Sequence, residues 1–534
     1  MFFDKRIKLF LVIILILAFS IISWYSINTT NYRTAKEVFL SKEELKEIEE
    51  NLENNLDYVF ELRIDSNKAY INFKENRYYF YMTEDNAGKY LDLDIDFCSK
   101  ESYKFAVLNE SYDKDKGMLI DFSKPIEVII YNNQSYCKKE IQLTCLPILN
   151  ITVGNSNIDR TEQPSIIELY GINHDNKNYI DILSTEALIR TRGGTSSHYP
   201  KQQYRLKLRY DGKANNLSLL GMDADEDWIL DALYADYSKI RNKLSFEIWN
   251  DMYDCSEKKE STKQHARYVD VYINQEYVGL YMLKEFIDWK KLGLDKNNEN
   301  GSGVLIKGMA YATVGWDGYE LTKHTGMVFP FYVKYPKEQE NYSKYWEAIM
   351  PKIHTNFYDK KNITEEYLLE NFEIENYIDY KLLMNFICAN DNFGVKNVYA
   401  SIKNLNEDTK VVLTPWDLDM TYGYSWGGKT GLYENSDNLK KIDNMWIDSD
   451  YINNLIKERY KELREKVYNM DNINKKIDSY YRQIQYSAKR DSDKWLETDV
   501  KVETDKIRSW LEERIKILDK YFGEKWCIDM KKNI

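Results

Sequence analysis

Residues 374–423 read IENYIDYKLLMNFICANDNFGVKNVYASIKNLNEDTKVVLTPWDLDMTYG, and the interpretation of the chain begins there. Its first part repeats apolar side chains every four residues, which predicts a helix with a buried face: Ile374, Ile378, Leu382 and Phe386. The helix leads to Asn390-Asp391 and a short loop. A strand at 398–402, a turn at 404–408 and a second strand at 411–413 follow, which predicts a β-hairpin.

The mouth of this hairpin is the predicted chemical site. Asn397 precedes the first strand and Asp417 follows the second, so the two lie close in space, with Asp391 just before them. Carboxylate and amide oxygens are the ligands that Mg²⁺ prefers. If 417–419 is extended, the carboxylates of Asp417 and Asp419 face the same way, which predicts metal ligands at Asn397, Asp417 and Asp419. The alternative is that Asp391 caps a helix or turn and that the other two are solvated loop acids.

A second cluster lies upstream. Arg192-Gly193-Gly194 belong to a loop of small residues that could close over phosphates. The next strand places three cations on one face, a face that in most proteins simply meets water: Arg205, Lys207 and Arg209. Farther along, Glu285 stands where a chain crossing between two lobes would start, which makes it a candidate contact for a nucleotide base.

Composition excludes several classes of protein. The 534 residues suggest two to four domains, and 74 Lys and Arg against 86 Asp and Glu give a net charge of −12. This acidity disfavours nucleic acid as a partner. Zinc spacing, a Gly-x-Ser-x-Gly elbow, a Walker loop and a Gly-x-Gly-x-x-Gly motif are all absent from the sequence. Cys137 and Cys145 could form a disulfide in an oxidising compartment.

The amino terminus predicts a membrane anchor. Lys5, Arg6 and Lys8 precede an uncharged and largely apolar stretch at 9–32, long enough to cross a bilayer. The positive-inside rule places the amino terminus in the cytoplasm and the remainder outside it. A cleaved signal peptide is the alternative.

Four regions are predicted from these patterns and from the resemblance described below. They are a cytoplasmic tip and anchor at 1–32, a small β-rich accessory domain at 33–145, an α+β kinase-like domain at 146–445 and a helical carboxyl-terminal extension at 446–534. Two apolar stripes in the extension predict core-facing helices: Ile456, Tyr460, Leu463 and Val467, then Ile507, Leu511, Ile515, Leu518 and Phe522.

The order of these parts is that of a protein kinase. A Gly loop, a Lys-bearing strand, a helix, two strands, a crossover, a buried helix, an Asp loop ending in Asn, a hairpin and an Asp motif follow one another. The kinase signatures His-Arg-Asp and Asp-Phe-Gly are missing, and Asn397 follows Asp391 by six residues instead of five.

Four ordered motifs make the chain similar to the spore coat protein H (CotH) family of atypical, secretory-type protein kinases, over about residues 145–525. The motifs are Arg192-Gly193-Gly194-Thr195-Ser196 with Pro200 to Leu208; Asp227-Trp228-Ile229-Leu230 through Ile240-Arg241-Asn242-Lys243-Leu244; Tyr268-Val269-Asp270 through Tyr281; and Pro415-Trp416-Asp417-Leu418-Asp419 with Tyr422-Gly423. The loop departs from the family, which usually has Gly-Asn-Ser where this chain has Gly193-Gly194-Thr195.

The resemblance implies a two-lobed kinase-like fold and a function. Asp391 would be the catalytic acid, Asp417 a metal-binding acid, and Lys207 or Arg205 the phosphate contact. The chain would use ATP with Mg²⁺ or Mn²⁺ to phosphorylate Ser or Thr of a cell-surface or spore-coat protein. Two rivals are a catalytically inactive envelope or spore-coat scaffold and a glycosidase built on Asp417 and Asp419.

Overall fold

The structure is a computed structural model, and it describes residues 32–34, 38–40, 42–54 and 61–532. Within the last range it leaves out 66, 94, 99–103, 109–111, 114–115, 173–179, 256–261, 299–300, 310–318, 320–321, 358–362, 393–395, 408 and 425–448. The predicted anchor lies outside the described residues, apart from Tyr32. Within the described part, none of the helices has the length and apolar character needed to cross a bilayer.

Eight helices lie in the described part of the chain. They are α1 Lys42–Asn51, α2 Arg241–Asp254, α3 Ser343–Phe357, α4 Glu365–Asn371, α5 Ile374–Phe386, α6 Asp450–Lys466, α7 Met470–Lys494 and α8 Val500–Lys532. The predicted helix at 374–386 is confirmed by α5.

The strands account for most of the first half. They are β1 Tyr32–Thr34, β2 Val38–Phe39, β3 Glu61–Ile64, β4 Asn67–Lys68, β5 Tyr70–Asn72, β6 Arg77–Tyr81, β7 Tyr90–Leu91, β8 Ile95–Cys98, β9 Lys104–Val107, β10 Tyr112–Asp113, β11 Gly117–Leu119, β12 Ile126–Tyr131, β13 Tyr136–Thr144, β14 Ile148–Val153, β15 Gln163–Ile172, β16 Ile180–Arg192, β17 Gln203–Tyr210, β18 Lys213–Ala214, β19 Asp227–Asp231, β20 Ala266–Ile273, β21 Glu276–Glu285, β22 Val304–Gly308, β23 Met327–Val328, β24 Phe331–Tyr335, β25 Val398–Ile402 and β26 Val412–Pro415. This mixture of helices and sheets confirms the α+β class.

Two sheets carry the predicted site residues. The larger has the order β16-β15-β14-β20-β21-β19-β17-β18, and an additional pairing of β16 with β17 closes the sheet on itself. The smaller has the order β23-β24-β22-β25-β26. The predicted hairpin is its β25–β26 pair, antiparallel with Val398 opposite Pro415.

The chain divides into two compact units. Unit 1 comprises residues 1–232, 267–283 and 482–497, and unit 2 comprises 233–266, 284–481 and 498–534. The two kinase-like lobes and the four predicted domain boundaries stay predictions.

Unit 1 is built mainly from strands whose side chains alternate between core and surface. In β17 the apolar side chains Tyr204, Leu206 and Leu208 are buried, as the alternation predicts, and each buried Leu contributes about 1.5–3 kcal/mol. The strands before residue 145 belong to the same unit. Asn72 Nδ2, for example, donates to the carbonyl of Gln275 over 3.0 Å.

The disulfide suggested for Cys137 and Cys145 is absent, because both are free thiols. Cys145 Sγ donates instead to the carbonyl of Gln483 over 3.2 Å, and burial raises the pKa of this thiol to about 12.

Unit 2 contains most of the helices. The two predicted carboxyl-terminal stripes are buried on α6, on α8 and at Val467, which confirms that they face the core. Helix α2 starts at Arg241 and not before it. The reason is a turn: Lys239 has a left-handed backbone with φ of 63°, and Asp236 accepts hydrogen bonds from the backbone N–H groups of Ser238 and Arg241.

Candidate active site

The buried helix α5 delivers Asp391 to the site. The chain leaves the helix through Cys388, whose φ of 48° is left-handed, and forms a short 3₁₀ turn at Asn390–Asn392. The backbone N–H of Tyr422 donates to the carbonyl of Ile387 over 2.8 Å and fixes this exit. The side chain of Asp391 is consequently buried in unit 2.

The Asp391 carboxylate is held by two side chains from the following loop. Lys396 Nζ lies 2.6 Å from Oδ1, and Asn397 Nδ2 donates to Oδ2 over 2.8 Å. The predicted proximity of Asp391 and Asn397 is therefore present. Lys396 was not singled out by the sequence reasoning, although its position five residues after Asp391 was the available signal.

Asn397 and Asp417 stand at the two ends of the β25–β26 hairpin. Both have left-handed backbones, with φ of 55° and 60°. The expectation that 417–419 is extended is therefore wrong at Asp417, because a left-handed residue turns the chain. The two carboxylates of Asp417 and Asp419 were predicted to face the same way only if this segment is extended, so that reason for Asp419 as a ligand no longer holds. The side chain of Asp419 is half-buried.

Asp417 lies between two buried anchors, Trp416 and Leu418, which are 2% and 0% exposed. The start of α2 holds the segment that follows. Asn242 Oδ1 accepts the backbone N–H of Leu418 over 2.7 Å, and Arg241 Nε donates to the carbonyl of Thr421 over 3.3 Å. Arg241 and Asn242 belong to a predicted family motif without a predicted role, and their hydrogen bonds hold the segment that follows Asp417.

Arg241 is itself fixed by a buried ion pair. Its Nη1 lies 2.5 Å from Asp236 Oδ1, and its guanidinium stacks 4.5 Å from the centre of the Tyr424 ring. Arg241 and Asp236 are each 1% exposed. Planar guanidinium groups suit such paired and stacked sites, so the start of α2 is rigidly held.

These residues fit a divalent cation by their donor types. No hydrogen bond from any residue that the structure describes reaches the carboxylate of Asp417. Asn397 and Asp417 stand at the two ends of the paired strands β25 and β26, so an amide and a carboxylate belong to the same hairpin mouth. Both are donor types that Mg²⁺ or Mn²⁺ takes, and the softer ligands Cys and His are not among these residues. We use the name Asp391 cluster for Asp391, Asn392, Lys396, Asn397 and Asp417.

Lys207 and Arg205, the predicted phosphate contacts, lie on β17 in unit 1, and each has an acidic partner. Lys207 Nζ is 2.5 Å from Glu162 Oε1, and Arg205 Nη2 is 2.7 Å from Asp227 Oδ1. Partial burial acts to raise the pKa of Glu162, but the hydrogen bond and charge of Lys207 outweigh it and lower this pKa. The side chains of Lys207 and Arg205 on this face of β17 are therefore held in ion pairs.

Positive charge nevertheless exceeds negative charge around these strands. Burial and the neighbouring charge of Arg205, with those of Arg192 and Arg160, lower the pKa of Arg190 even though Glu162 opposes the shift. We define the cation cluster as Arg160, Arg190, Arg192, Arg205 and Lys207. Its five cations stand against the two acids Glu162 and Asp227, which leaves a local excess suited to an anion.

The glycine loop is anchored to this cluster by Arg160, another residue that sequence reasoning missed. Arg160 Nη2 donates to the carbonyl of Gly193 and to Ser197 Oγ, each over 2.8 Å. Gly193 has a φ of 104°, and a Cβ there would lie 2.0 Å from Ser196 Oγ. Gly194 has a negative φ and open space around its Cβ position. The backbone at Gly193 thus requires glycine, whereas Gly194 is less constrained.

Glu285, the predicted contact for a nucleotide base, has an engaged carboxylate in unit 2. One oxygen accepts the backbone N–H of His265 over 2.9 Å, and Lys291 Nζ lies 2.7 Å from the same oxygen. Burial by itself raises the pKa of Glu285, but His265 and Lys291 outweigh burial and lower this pKa. The carboxylate is therefore ionised and internally paired at neutral pH.

The structure thus gathers Asp391, Asn397 and Asp417 at the hairpin mouth of unit 2. Arg192, Gly193, Gly194, Arg205 and Lys207 form a separate group in unit 1. The roles predicted for these residues stay predictions. Sequence reasoning missed the side chains that contact them or the adjoining backbone: Arg160, Glu162, Arg241, Asn242 and Lys396.

Together these features define an α+β protein that carries a carboxylate and amide cluster suited to a divalent cation. Residues 189–518 match the family model described as CotH kinase protein, which covers more than half of the chain. The chain therefore belongs to the CotH kinase family, as the resemblance predicted. This membership is consistent with a phosphotransferase. A comparison with curated proteins found no match.

Proposed function

We propose that this protein is a metal-dependent phosphotransferase that transfers the γ-phosphoryl group of ATP to Ser or Thr of a cell-surface or spore-coat protein. The observation that supports the proposal most is the Asp391 carboxylate, buried and held between Lys396 and Asn397 at the mouth of the β25–β26 hairpin. Family membership supports the kinase reaction class.

Asp391 would receive the acceptor hydroxyl. Its carboxylate, fixed by two donors, would orient the O–H of Ser or Thr and take up its proton while the oxygen bonds to the γ-phosphorus of ATP and the bond from that phosphorus to the ADP leaving group breaks. Lys396, 2.6 Å from the same carboxylate, would neutralise charge on the phosphoryl oxygens during transfer. This division of work needs little covalent chemistry from the protein, because phosphoryl transfer depends mainly on position and charge.

Asp417 and Asn397 would hold the cation. Mg²⁺ or Mn²⁺ would supply charge neutralisation between the β- and γ-phosphates of ATP. Asp417 would present its open carboxylate, and the contacts that Asn242 and Arg241 make to Leu418 and Thr421 would keep it in place.

The cation cluster of unit 1 would bind phosphates. Lys207 and Arg205 would exchange part of their present pairing with Glu162 and Asp227 for phosphate oxygens, and Arg192 with the backbone of Gly193 and Gly194 would add donors. Glu285 stays a proposed neighbour of the nucleotide base.

Asp417→Asn tests the proposal. The amide keeps the size of the side chain and tolerates the left-handed backbone, but it removes the negative charge that a cation needs. Transfer of labelled γ-phosphate from ATP to the chain itself or to a random Ser/Thr peptide library should fall at least a hundredfold. The circular dichroism spectrum should not change.

Asp211→Asn is the matched control. Asp211 has a similar φ of 48° and lies in the exposed turn between β17 and β18, so the same substitution there should leave transfer unchanged. Wild-type activity in Asp417→Asn would contradict the metal assignment. Wild-type protein that binds no ATP with either cation would support the scaffold reading instead.

We also propose that residues 9–32 anchor the protein in the membrane and place the following residues outside the cytoplasm. Added protease should then degrade the carboxyl-terminal region in intact protoplasts. Full protection until lysis would contradict this topology.

A further inference from the structure

Asn392, the residue after Asp391, ties the two arms of the hairpin mouth together. Its Nδ2 donates to the carbonyl of Trp416 over 2.6 Å and lies 3.4 Å from the carbonyl of Asn397. Trp416 directly precedes Asp417 in the sequence. One amide nitrogen therefore contacts the backbone beside both predicted metal ligands.

The oxygen of the same amide has no such partner. Asn392 is only 5% exposed, and its Oδ1 is buried without a hydrogen bond within the part of the chain that the structure describes. Buried acceptors in folded proteins are almost always satisfied, so an orphaned one calls for an explanation. A bound cation is one that fits an amide oxygen, since it is a hard ligand of the kind that Mg²⁺ and Mn²⁺ take.

Location distinguishes Asn392 from the other two orphaned amides in the described part of the chain, Gln264 and Asn385. The nitrogen of Gln264 donates to the carbonyl of Pro415, the last residue of β26, which is one residue farther from Asp417 than Trp416 is. Asn385 in unit 2 also has a buried Oδ1 without a partner, but its Nδ2 donates to the carbonyl of Lys381 within its own helix. Asn392 instead adjoins Asp391, and its nitrogen reaches the backbone next to Asp417 and Asn397.

We propose that Asn392 Oδ1 is a further ligand for the divalent cation of the Asp391 cluster, while its Nδ2 positions the backbone that carries Asp417 and Asn397. This inference rests on the proposed function, since it concerns the same cation. The cation would then have two amide ligands, Asn392 and Asn397, and Asn397 Nδ2 also donates to Asp391.

Binding of Mn²⁺ in the presence of ADP, followed by electron paramagnetic resonance on the full-length chain, tests the inference without any measurement of transfer. Asn392→Ala should weaken Mn²⁺ binding at least tenfold. Asn385→Ala is the matched control, a buried amide of the same unit, and should stay within twofold of wild type. Unchanged Mn²⁺ affinity in folded Asn392→Ala protein would overturn the inference.

The variant Asn392→Asp distinguishes a role of the Asn392 oxygen as a metal ligand from a role of its nitrogen in holding the backbone. Aspartate keeps an oxygen for the cation but cannot donate to the carbonyls of Trp416 and Asn397. A ligand role predicts that Asn392→Asp binds Mn²⁺ at least threefold more tightly than Asn392→Ala. Equal loss in both variants would show that only the nitrogen matters, and would overturn the ligand role even if the alanine variant is poorly folded.

The wild-type titration distinguishes this inference from the proposed function. Absence of Mn²⁺ binding by the wild-type chain with ADP would defeat both. Binding that is abolished by Asp417→Asn and unaffected by Asn392→Ala would support the proposed function and reject the role of Asn392 alone.

Discussion

Replacing each of the two adjacent glycines of the loop by alanine should have unequal effects. Gly193 has a φ of 104°, a conformation in which a Cβ is strained, and that Cβ would lie 2.0 Å from Ser196 Oγ. Gly194 has a φ of −87°, and its Cβ would meet no atom within 4 Å. Sequence alone treats the two positions alike, so the difference tests the backbone geometry.

The expected loss of stability in Gly193→Ala follows from the backbone conformation at this residue. Holding an L-residue in a left-handed conformation costs about 1–2 kcal/mol. The clash with Ser196 adds less than its distance suggests, because a serine side chain can rotate away. In a unit of this size, the loss corresponds to a fall in melting temperature of about 2–8 °C for Gly193→Ala. Gly194→Ala should lower it by less than half as much.

Thermal unfolding followed by circular dichroism measures this difference, and titration with ATP and Mn²⁺ measures its effect on the proposed phosphate loop. Strain that the free loop keeps lowers the melting temperature, whereas strain that the free loop relieves by relaxing returns as weaker nucleotide binding, up to about 5–30-fold if all of it is relieved. Equal effects of the two substitutions, or a Gly193→Ala protein that matches wild type in both stability and nucleotide binding, would refute the reasoning.

Two further outcomes follow from buried charges in unit 2. Arg241→Leu leaves the Asp236 carboxylate buried without its 2.5 Å partner and should lower the free energy of unfolding, measured with denaturant, by about 3–5 kcal/mol. The double variant Arg241→Leu with Asp236→Leu should recover at least half of that loss. A loss below about 1 kcal/mol in the single variant would contradict the role of the pair. Glu285 has a folded pKa below its ordinary value of 4.5, so its stabilising effect is present above that pH and is lost as the pH falls through the folded pKa. Glu285→Gln should therefore destabilise the protein at pH 7 and show a shallower fall in melting temperature on acidification below about pH 4.5; parallel acid profiles would argue against this assignment.

Local patterns predicted the elements of the site. Apolar side chains four residues apart indicated the helix at 374–386, and the two apolar runs after Asn397 indicated the hairpin in which Val398 pairs with Pro415. Alternation of cations with apolar residues likewise predicted which face of β17 is buried. These features depend on neighbours in sequence, so periodicity is sufficient to find them.

The contacts that tune the site could not be found this way. The ion pair of Lys207 with Glu162 joins residues 45 positions apart, and Asn242 reaches Leu418 across 176 residues. The left-handed residue Asp417 directly precedes Leu418, whose backbone N–H donates to Asn242, so a distant contact that the local pattern does not contain adjoins this turn. An expectation of extended backbone at 417–419 was reasonable from sequence and wrong for this reason.

Several left-handed backbones lie at and near the hairpin mouth. Cys388, Asn397, Asp417 and Tyr422 all have positive φ values, and two of them, Asn397 and Asp417, belong to the Asp391 cluster. Strained residues of this kind cost about 1–3 kcal/mol each and persist only where surrounding contacts fix them. Those contacts are present: Tyr422 donates to Ile387, Asn397 to Asp391, and Asn242 accepts from Leu418. In the proposed enzyme, these contacts would keep Asn397 and Asp417 in place before substrate arrives.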